Sequence, residues 1–250
     1  MTLLAENISF SYPKNDVLHD ITFSLKEGDL LAILGTNGAG KSTLLKCLNR
    51  ILKPQSGTVY INGTDNSVLE EVELAKNIAY VPQSHSYSTQ TVFDFVLLGR
   101  RPYIKWDLEQ EDIKVVEEVL HLLELEDYSM RYTNELSGGE LQKVIIARAL
   151  VQQPKVLLMD EPTSNLDLKN QMEVLSTIRE IIDTQKISAI ITMHDLNLAL
   201  RFANKFLLLK EGELFDWGDA GILNPESIKS VYNLDVVIKD YSGIPVIIPI

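Results

Sequence analysis

The run Leu30-Leu31-Ala32-Ile33-Leu34-Gly35-Thr36-Asn37-Gly38-Ala39-Gly40-Lys41-Ser42-Thr43-Leu44-Leu45 constrains this chain more than any other. Its apolar start reads as a buried strand, its glycines as a turn, and its apolar end as a helix. Gly35, Gly40, Lys41 and Ser42 fit the phosphate-loop pattern G-x-x-x-x-G-K-[ST] without a mismatch. Lacking a Cβ at Gly35, Gly38 and Gly40, the backbone can curl so that successive N–H groups point at an anion. A helix starting near Gly40 adds unpaired N–H groups and the positive end of its dipole. Lys41 supplies a full charge for outer phosphates, and Ser42 an oxygen for a magnesium ion. A glycine turn that merely joins strand to helix is the alternative, but the flanking strand and helix are the context the motif requires. The segment Gly35 to Thr43 is therefore expected to bind a nucleoside triphosphate.

At 250 residues, with 45% apolar and 23% charged residues, the chain is of ordinary globular composition and can bury one substantial core. A net charge of −12 argues against nonspecific nucleic-acid binding, which needs a basic surface, and no nucleic-acid partner is expected. The single cysteine, Cys47, cannot form an internal disulfide, which suits a reducing compartment, and its simplest role is packing. Met1 to Phe10 shows no basic region followed by an apolar core, so no secretory signal is expected there. No apolar run approaches the ~18 residues of a spanning helix, so work at a membrane would go through a partner.

Leu3 to Tyr12 and Val17 to Leu25 alternate as strands around Pro13-Lys14-Asn15-Asp16. Thr58 to Ile61 is a further strand before the tight turn Asn62-Gly63. Ile78 to Val81 is another, ended by Pro82-Gln83. This places the phosphate loop among short antiparallel strands. Thr91 is positioned to cap a helix through Leu98, and Ile113, Val116, Val119, Leu120 and Leu123 recur at helical spacing. Glu109, Glu111, Asp112, Glu117, Glu118, Glu124 and Glu126 crowd that segment and read as a solvated face. Residues 89–155 thus look like a helical insertion.

Strand–helix alternation resumes at Val156 to Met159, Leu168 to Asp183, Ala189 to Met193, Asp195 to Phe202 and Lys205 to Leu209, the pattern of a parallel sheet covered by helices. Asn224-Pro225 opens a short helix with its cap and first-turn proline. Two apolar strands, Val236 to Ile238 and Pro245 to Ile248, close the chain.

Two more stretches carry chemistry. Val156-Leu157-Leu158-Met159-Asp160-Glu161 is an apolar strand ending in two carboxylates, which strand alternation sends to different sides. Asp160 is expected at the magnesium shell beside Ser42. Glu161 is expected to polarise water for attack on the terminal phosphate. Asn134-Glu135-Leu136-Ser137-Gly138-Gly139-Glu140 precedes the apolar helix Leu141 to Leu150. Ser137 and Glu140 have capping-box spacing, and Gly138-Gly139 leaves the helix start open to an anion. Both roles can hold together.

In the order Gly35–Thr43, Gln83, Leu136–Glu140, Val156–Glu161, Ser164–Asp167 and His194, the chain resembles the ATP-binding cassette ATPases over nearly its whole length. The resemblance implies an α/β fold: a P-loop NTPase (RecA-like) core with an N-terminal antiparallel β subdomain and an inserted α-helical subdomain. It divides the single domain 1–250 into a core (1–88 and 156–223), a helical part (89–155) and a short tail (224–250). It implies ATP and Mg2+ as cofactors, with Tyr12 stacking on adenine. Gln83 would link magnesium and attacking water to the helical part, and His194 would contact the terminal phosphate. Magnesium would be held by Ser42, Gln83 and, through water, Asp160. Ser137, Gly138, Gly139, Glu140 and Asp167 would face the nucleotide of a second copy of the chain. His19, His85 and His121 match no motif.

Two residues depart from the family's usual pattern: Glu140 stands where Gln is commoner, and Asn165 where Ala is commoner. The capping role of residue 140 tolerates the change. Single-copy layout, acidic charge and the absence of a long coiled coil favour a separate integral-membrane permease as partner. The chain would then sit at the cytoplasmic face of the cell membrane. Val92-Phe93-Asp94-Phe95-Val96-Leu97-Leu98-Gly99-Arg100-Arg101-Pro102-Tyr103 and the tail are similar to importers of iron–siderophore, haem and cobalamin, which implies a substrate-binding protein as indirect partner. Exposed Phe, Arg and Tyr in that segment would suit permease docking. Cobalamin, haem or oxyanion uptake, and a soluble non-transport cassette, are the alternatives.

Overall fold

The computed structural model describes residues 1–83 and 89–250, so His85 lies outside the described residues. Strands β1 (Leu3–Tyr12) and β2 (Asn15–Leu25) form an antiparallel pair around Pro13 and Lys14. Leu3, Ala5, Ile21, Phe23 and Leu25 are buried while residues between them are more open, the alternation of a sheet with one covered face. Strand β4 (Ser56–Ile61) pairs with β1, and β5 (Thr64–Asp65) folds back on it through Asn62-Gly63.

Strand β3 (Leu30–Leu34) does not sit among these antiparallel strands, contrary to the expectation from sequence. It lies between β8 (Ser188–Thr192) and β9 (Lys205–Lys210), parallel to both. Every residue of β3, β8 and β7 (Val156–Asp160) is buried. Strands covered on both faces have no polar side, which is why these runs are continuously apolar. Neighbours in sequence are not neighbours in space here, because crossover connections separate them.

The 10-stranded sheet runs β5-β4-β1-β2-β10-β9-β3-β8-β7-β6, with β6 at Ile78–Val81 and β10 at Glu213–Gly218. Strand β10 was not foreseen, although it joins the two halves. It turns back from β9 through Glu211 and Gly212, both at positive φ (50° and 84°), and meets β2 at His19. Helix α2 (Glu71–Asn77) was also missed: with Leu74 as its one buried residue it is too short to show a periodic face. On one side of the parallel strands, Ala32, Met159 and Ile191 pack under α6 (Leu168–Gln185) and the helices of 92–150. On the other, Ile33, Leu158 and Ile190 meet α1 (Lys41–Leu48) and the β1–β2 layer. Cys47 is buried there at 1% exposure, in the packing role expected of it.

Between β6 and β7 lie α3 (Val92–Leu97), α4 (Gln110–Leu122) and α5 (Gly138–Leu150). Thr91 caps α3, its hydroxyl accepting from the Asp94 N–H at 3.1 Å. Asp112 does not belong to a solvated face. Its Oδ1 accepts from Arg100 Nε at 2.8 Å, with the two side chains only 6% and 5% exposed. Arg100 also donates to the Val151 carbonyl at 2.8 Å and lies 3.8 Å over the Tyr103 ring, while Tyr103 donates to the Gln152 carbonyl. Phe95 is buried as well. So the Phe, Arg and Tyr expected to be exposed are mostly spent on internal packing; Leu98, Arg101 and Trp106 are among the open side chains here. His121 instead pairs with Glu126 on the surface.

The tail forms α8 (Pro225–Tyr232), capped by Asn224, and an isolated hairpin of β11 (Val236–Tyr241) and β12 (Ile244–Pro249). It rests on α7 (Leu196–Phe202), where Asn197 Oδ1 accepts from the Ile247 N–H at 2.8 Å. Among the described residues no helix is long and apolar enough to cross a membrane.

Candidate nucleotide site

A cleft of about 470 Å³ opens where β3 ends and α1 begins. Asn37, Gly38, Gly40, Lys41, Ser42 and Thr43 form its floor. Gly40 precedes α1 at φ 104° without any side-chain cap, and the first turn of α1 carries no acidic residue. The helix thus supplies neither a side-chain cap nor a carboxylate of its own to compete with an anion for its first N–H groups. Gly35 is forced by packing: a Cβ there would meet the Leu209 carbonyl oxygen of β9 at 2.3 Å. Thr36 and Ala39 hold the turn through the Ala39 N–H to Thr36 carbonyl bond. Lys41 is folded back along the loop, donating to the Gly35 and Thr36 carbonyls at 2.8 and 3.1 Å. Burial pulls its pKa down, and the Glu161 and Asp160 carboxylates oppose that shift.

Tyr12, at the β1–β2 turn, stands at the cleft mouth, 42% exposed and edge-on to Phe10.

The two acids separate, but by a turn and not by strand alternation: β7 ends at Asp160, and Glu161 follows it at positive φ. Asp160 is buried and turned toward α1: Ser42 Oγ donates to its Oδ1 at 2.9 Å and Thr192 Oγ1 at 2.8 Å. The Tyr80 hydroxyl reaches Oδ2 at 3.4 Å, and burial, with the Asp160 charge, pushes that phenol's pKa up. Glu161 opens into the cleft. Gln83 Nε2 donates to its Oε2 at 2.7 Å, and His194 Nε2 contacts its Oε1. Glu161 adopts φ 46°, a left-handed conformation costing on the order of 1–3 kcal/mol for a non-glycine residue. Ser42 and Asp160 place two hard oxygens side by side, and Gln83 keeps its amide oxygen free of the bond to Glu161. That donor set fits magnesium, which takes one or two protein oxygens and completes its shell with water and phosphate. Among the described residues no three His, Cys, Asp or Glu side chains gather as a metal cluster, and such a shell needs none.

The start of α5 lies in a different hollow, of about 300 Å³, sharing no lining residue with the first. The capping box there is complete. Glu140 Oε2 accepts from the Ser137 N–H at 2.8 Å and the Ser137 hydroxyl at 2.7 Å, and Ser137 Oγ accepts from the Glu140 N–H. Gly138 is open, as expected, but Gly139 is closed in: a Cβ would meet Asn170 Oδ1 at 2.9 Å. Asp167 caps α6 by accepting from the Asn170 N–H at 2.8 Å.

A family model described as ABC transporter matches residues 18–164, more than half of the chain. The chain belongs to the ABC transporter family. An uncharacterized ABC transporter ATP-binding protein of Methanocaldococcus jannaschii is 55% identical over 250 residues, covering 100% of this chain and 98% of that protein. The ATP-binding protein YusV of Bacillus subtilis, named for a siderophore transport system, is 33% identical and covers 98% of this chain and 91% of its own length. A structure described as an inward-facing conformation of a metal-chelate type ABC transporter superposes with a TM-score of 0.88 at 33% identity, covering 100% of this chain and 97% of that one. The protein is an ABC transporter ATPase with the P-loop fold, β subdomain and helical insertion that the resemblance implied.

In this ABC ATPase three residues at the site escaped the sequence reading. Asn15 and Val17 line the cleft beside Tyr12, and Thr192 ties Asp160 to Glu161. Thr192 carried a faint signal, being the one hydroxyl within the apolar run Ala189 to Met193.

Proposed function

We propose that this ABC ATPase is the energising subunit of an importer for ferric chelates, with Glu161 as the base that activates water. One observation carries the catalytic part: Glu161, Gln83 and His194, from three separate segments, meet over the phosphate loop. A carboxylate accepting from an amide on one oxygen and an imidazole on the other is held in place to take a proton from water. Magnesium, when bound beside Ser42 and Asp160, supplies charge neutralisation for the phosphates. Lys41 leaves the loop carbonyls for the outer phosphates, and Tyr12 offers its ring to the base.

The hollow at Ser137 and Gly139 lies at the capped start of α5 and has no nucleotide loop of its own. ABC ATPases dimerise and pair with permeases, and in this reading Ser137, Gly139 and Asp167 act on the ATP of the second copy. Leu98 and Trp106, 47% and 95% exposed, then face the permease. Iron chelates as cargo rest on the siderophore and metal-chelate systems to which the chain is similar.

Three measurements test this. ATPase rate per chain should rise with protein concentration until dimers saturate; a rate independent of dilution would remove the in-trans half. Copurification from native membranes should recover a polytopic permease. In the reconstituted complex a binding protein loaded with ferric chelate should stimulate ATPase more than one loaded with cobalamin or molybdate, and the reverse order would reassign the cargo.

A further inference from the structure

Thr192 is the last residue of β8, paired in register with Asp160 on one side and with Ile33 of the phosphate-loop strand on the other. The next residue, Met193, donates its N–H to the Ile33 carbonyl, so the backbone here is held from both sides. The Thr192 side chain is 1% exposed, and a buried hydroxyl demands partners. Its Oγ1 accepts from the Glu161 N–H at 2.8 Å and donates to Asp160 Oδ1 at 2.8 Å. One oxygen thus touches both strand-end acids. The first bond meets the N–H of the residue that holds the left-handed turn (φ 46°). The second shares Oδ1 with the Ser42 hydroxyl. A β-branched side chain on a strand has few χ1 choices, so the hydroxyl stays where it is needed.

We propose that Thr192 is a positioning residue for ATP hydrolysis. Its hydroxyl fixes the turn that aims the Glu161 carboxylate into the cleft, and it holds Asp160 toward Ser42. The proposal rests on the reading of Glu161 as base. Thr192 is buried and does not line the cleft; it acts through the two acids. Nucleotide binding by the phosphate loop depends on β3 and α1 and does not require it.

The test compares Thr192→Val, which keeps shape and loses both hydrogen bonds, with Thr192→Ser, which keeps the hydroxyl. In Thr192→Val, kcat should fall about 10- to 100-fold, the usual weight of a lost hydrogen bond to a charged group. Metal-free ATP affinity should stay within about threefold, because the phosphate loop is untouched. Thr192→Ser should recover most of the turnover. Independently of activity, the Glu161 amide of the wild-type protein should be protected from hydrogen exchange and lose that protection in Thr192→Val. An unprotected wild-type Glu161 amide, an unchanged kcat in Thr192→Val, or a Thr192→Ser as impaired as Thr192→Val would each overturn the proposal. Glu161→Gln run in parallel separates the two ideas. If Glu161→Gln is inactive while Thr192→Val is normal, only the Thr192 role falls. If Glu161→Gln hydrolyses ATP normally, the base assignment falls, and the amide exchange still judges the Thr192 bond.

Discussion

Gln83 Nε2 and Glu161 Oε2 are hydrogen-bonded at 2.7 Å, joining the segment after β6 to the turn after β7. Gln83 leads toward the helices of 92–150, and Glu161 stands over the phosphate loop.

Replacing Glu161 with Gln keeps the shape and an amide able to bond Gln83, and removes the proton acceptor. Turnover should drop by roughly two decades or more while ATP binding persists. Phosphate release and nucleotide titration check this, and near wild-type hydrolysis would sink the assignment.

Two glycines of the phosphate loop should respond differently to alanine. At Gly35 a Cβ would lie 2.3 Å from the Leu209 carbonyl, so the loop must move off β9 and ATP affinity should fall more than about tenfold. At Gly38 nothing lies within 4 Å, and only the positive φ of 81° opposes the change. That strain is of order 1–2 kcal/mol, so Gly38→Ala should fold and bind with a lesser loss. Calorimetric titration of the two variants with ATP distinguishes them.

The Arg100–Asp112 pair is a buried ion pair closed by Val151 and Tyr103. Arg100→Met alone strands the Asp112 carboxylate and should destabilise the fold by about 3–5 kcal/mol. Arg100→Met with Asp112→Leu should recover most of that loss. Urea denaturation of both variants provides the comparison; equal loss in single and double variants would mean that packing, not charge, dominates.

Hydrogen bonds from the Ser137 hydroxyl and N–H, with further help from Tyr128 and Arg131, hold the Glu140 carboxyl below its ordinary value of 4.5. A depressed folded-state pKa contributes stability above the unfolded value, and that contribution fades as pH falls through the folded value. The stability difference between wild type and Glu140→Gln should shrink as pH drops from about 5 to about 3. Melting curves across that range test it; a difference that grows in acid would reverse the sign.

Burial pushes the Cys47 thiol up to about 12, so almost no thiolate exists at neutral pH. The folded protein should resist a thiol-specific disulfide reagent for hours and react at once in denaturant. Rapid native labelling would mean that α1 opens readily.

The local features were legible because their causes are local. The phosphate loop depends on glycines and a following helix start, and the Ser137–Glu140 box closes within one turn. Thr91 and Asn224 cap helices for the same reason: a short polar side chain reaches an N–H three residues on. Helix α2 and strand β10 were not legible, since one has a single buried residue and the other is half-exposed and defined by its partners. Strand pairing misled at β3, where the apolar run announced burial on both faces but not which strands would supply it.

By itself the sequence determined a nucleotide loop, a strand ending in two acids, a capped helix start, and the family to which their order belongs. Only the tertiary structure decided which of these meet. It brought Tyr12, Gln83, Glu161 and His194 to one cleft and kept Ser137 in another. It buried Asp112 against Arg100 and made Thr192 the link between two acids. The reason is physical: turns and caps are settled within a few residues, whereas burial and long-range hydrogen bonds depend on which distant strands pack together.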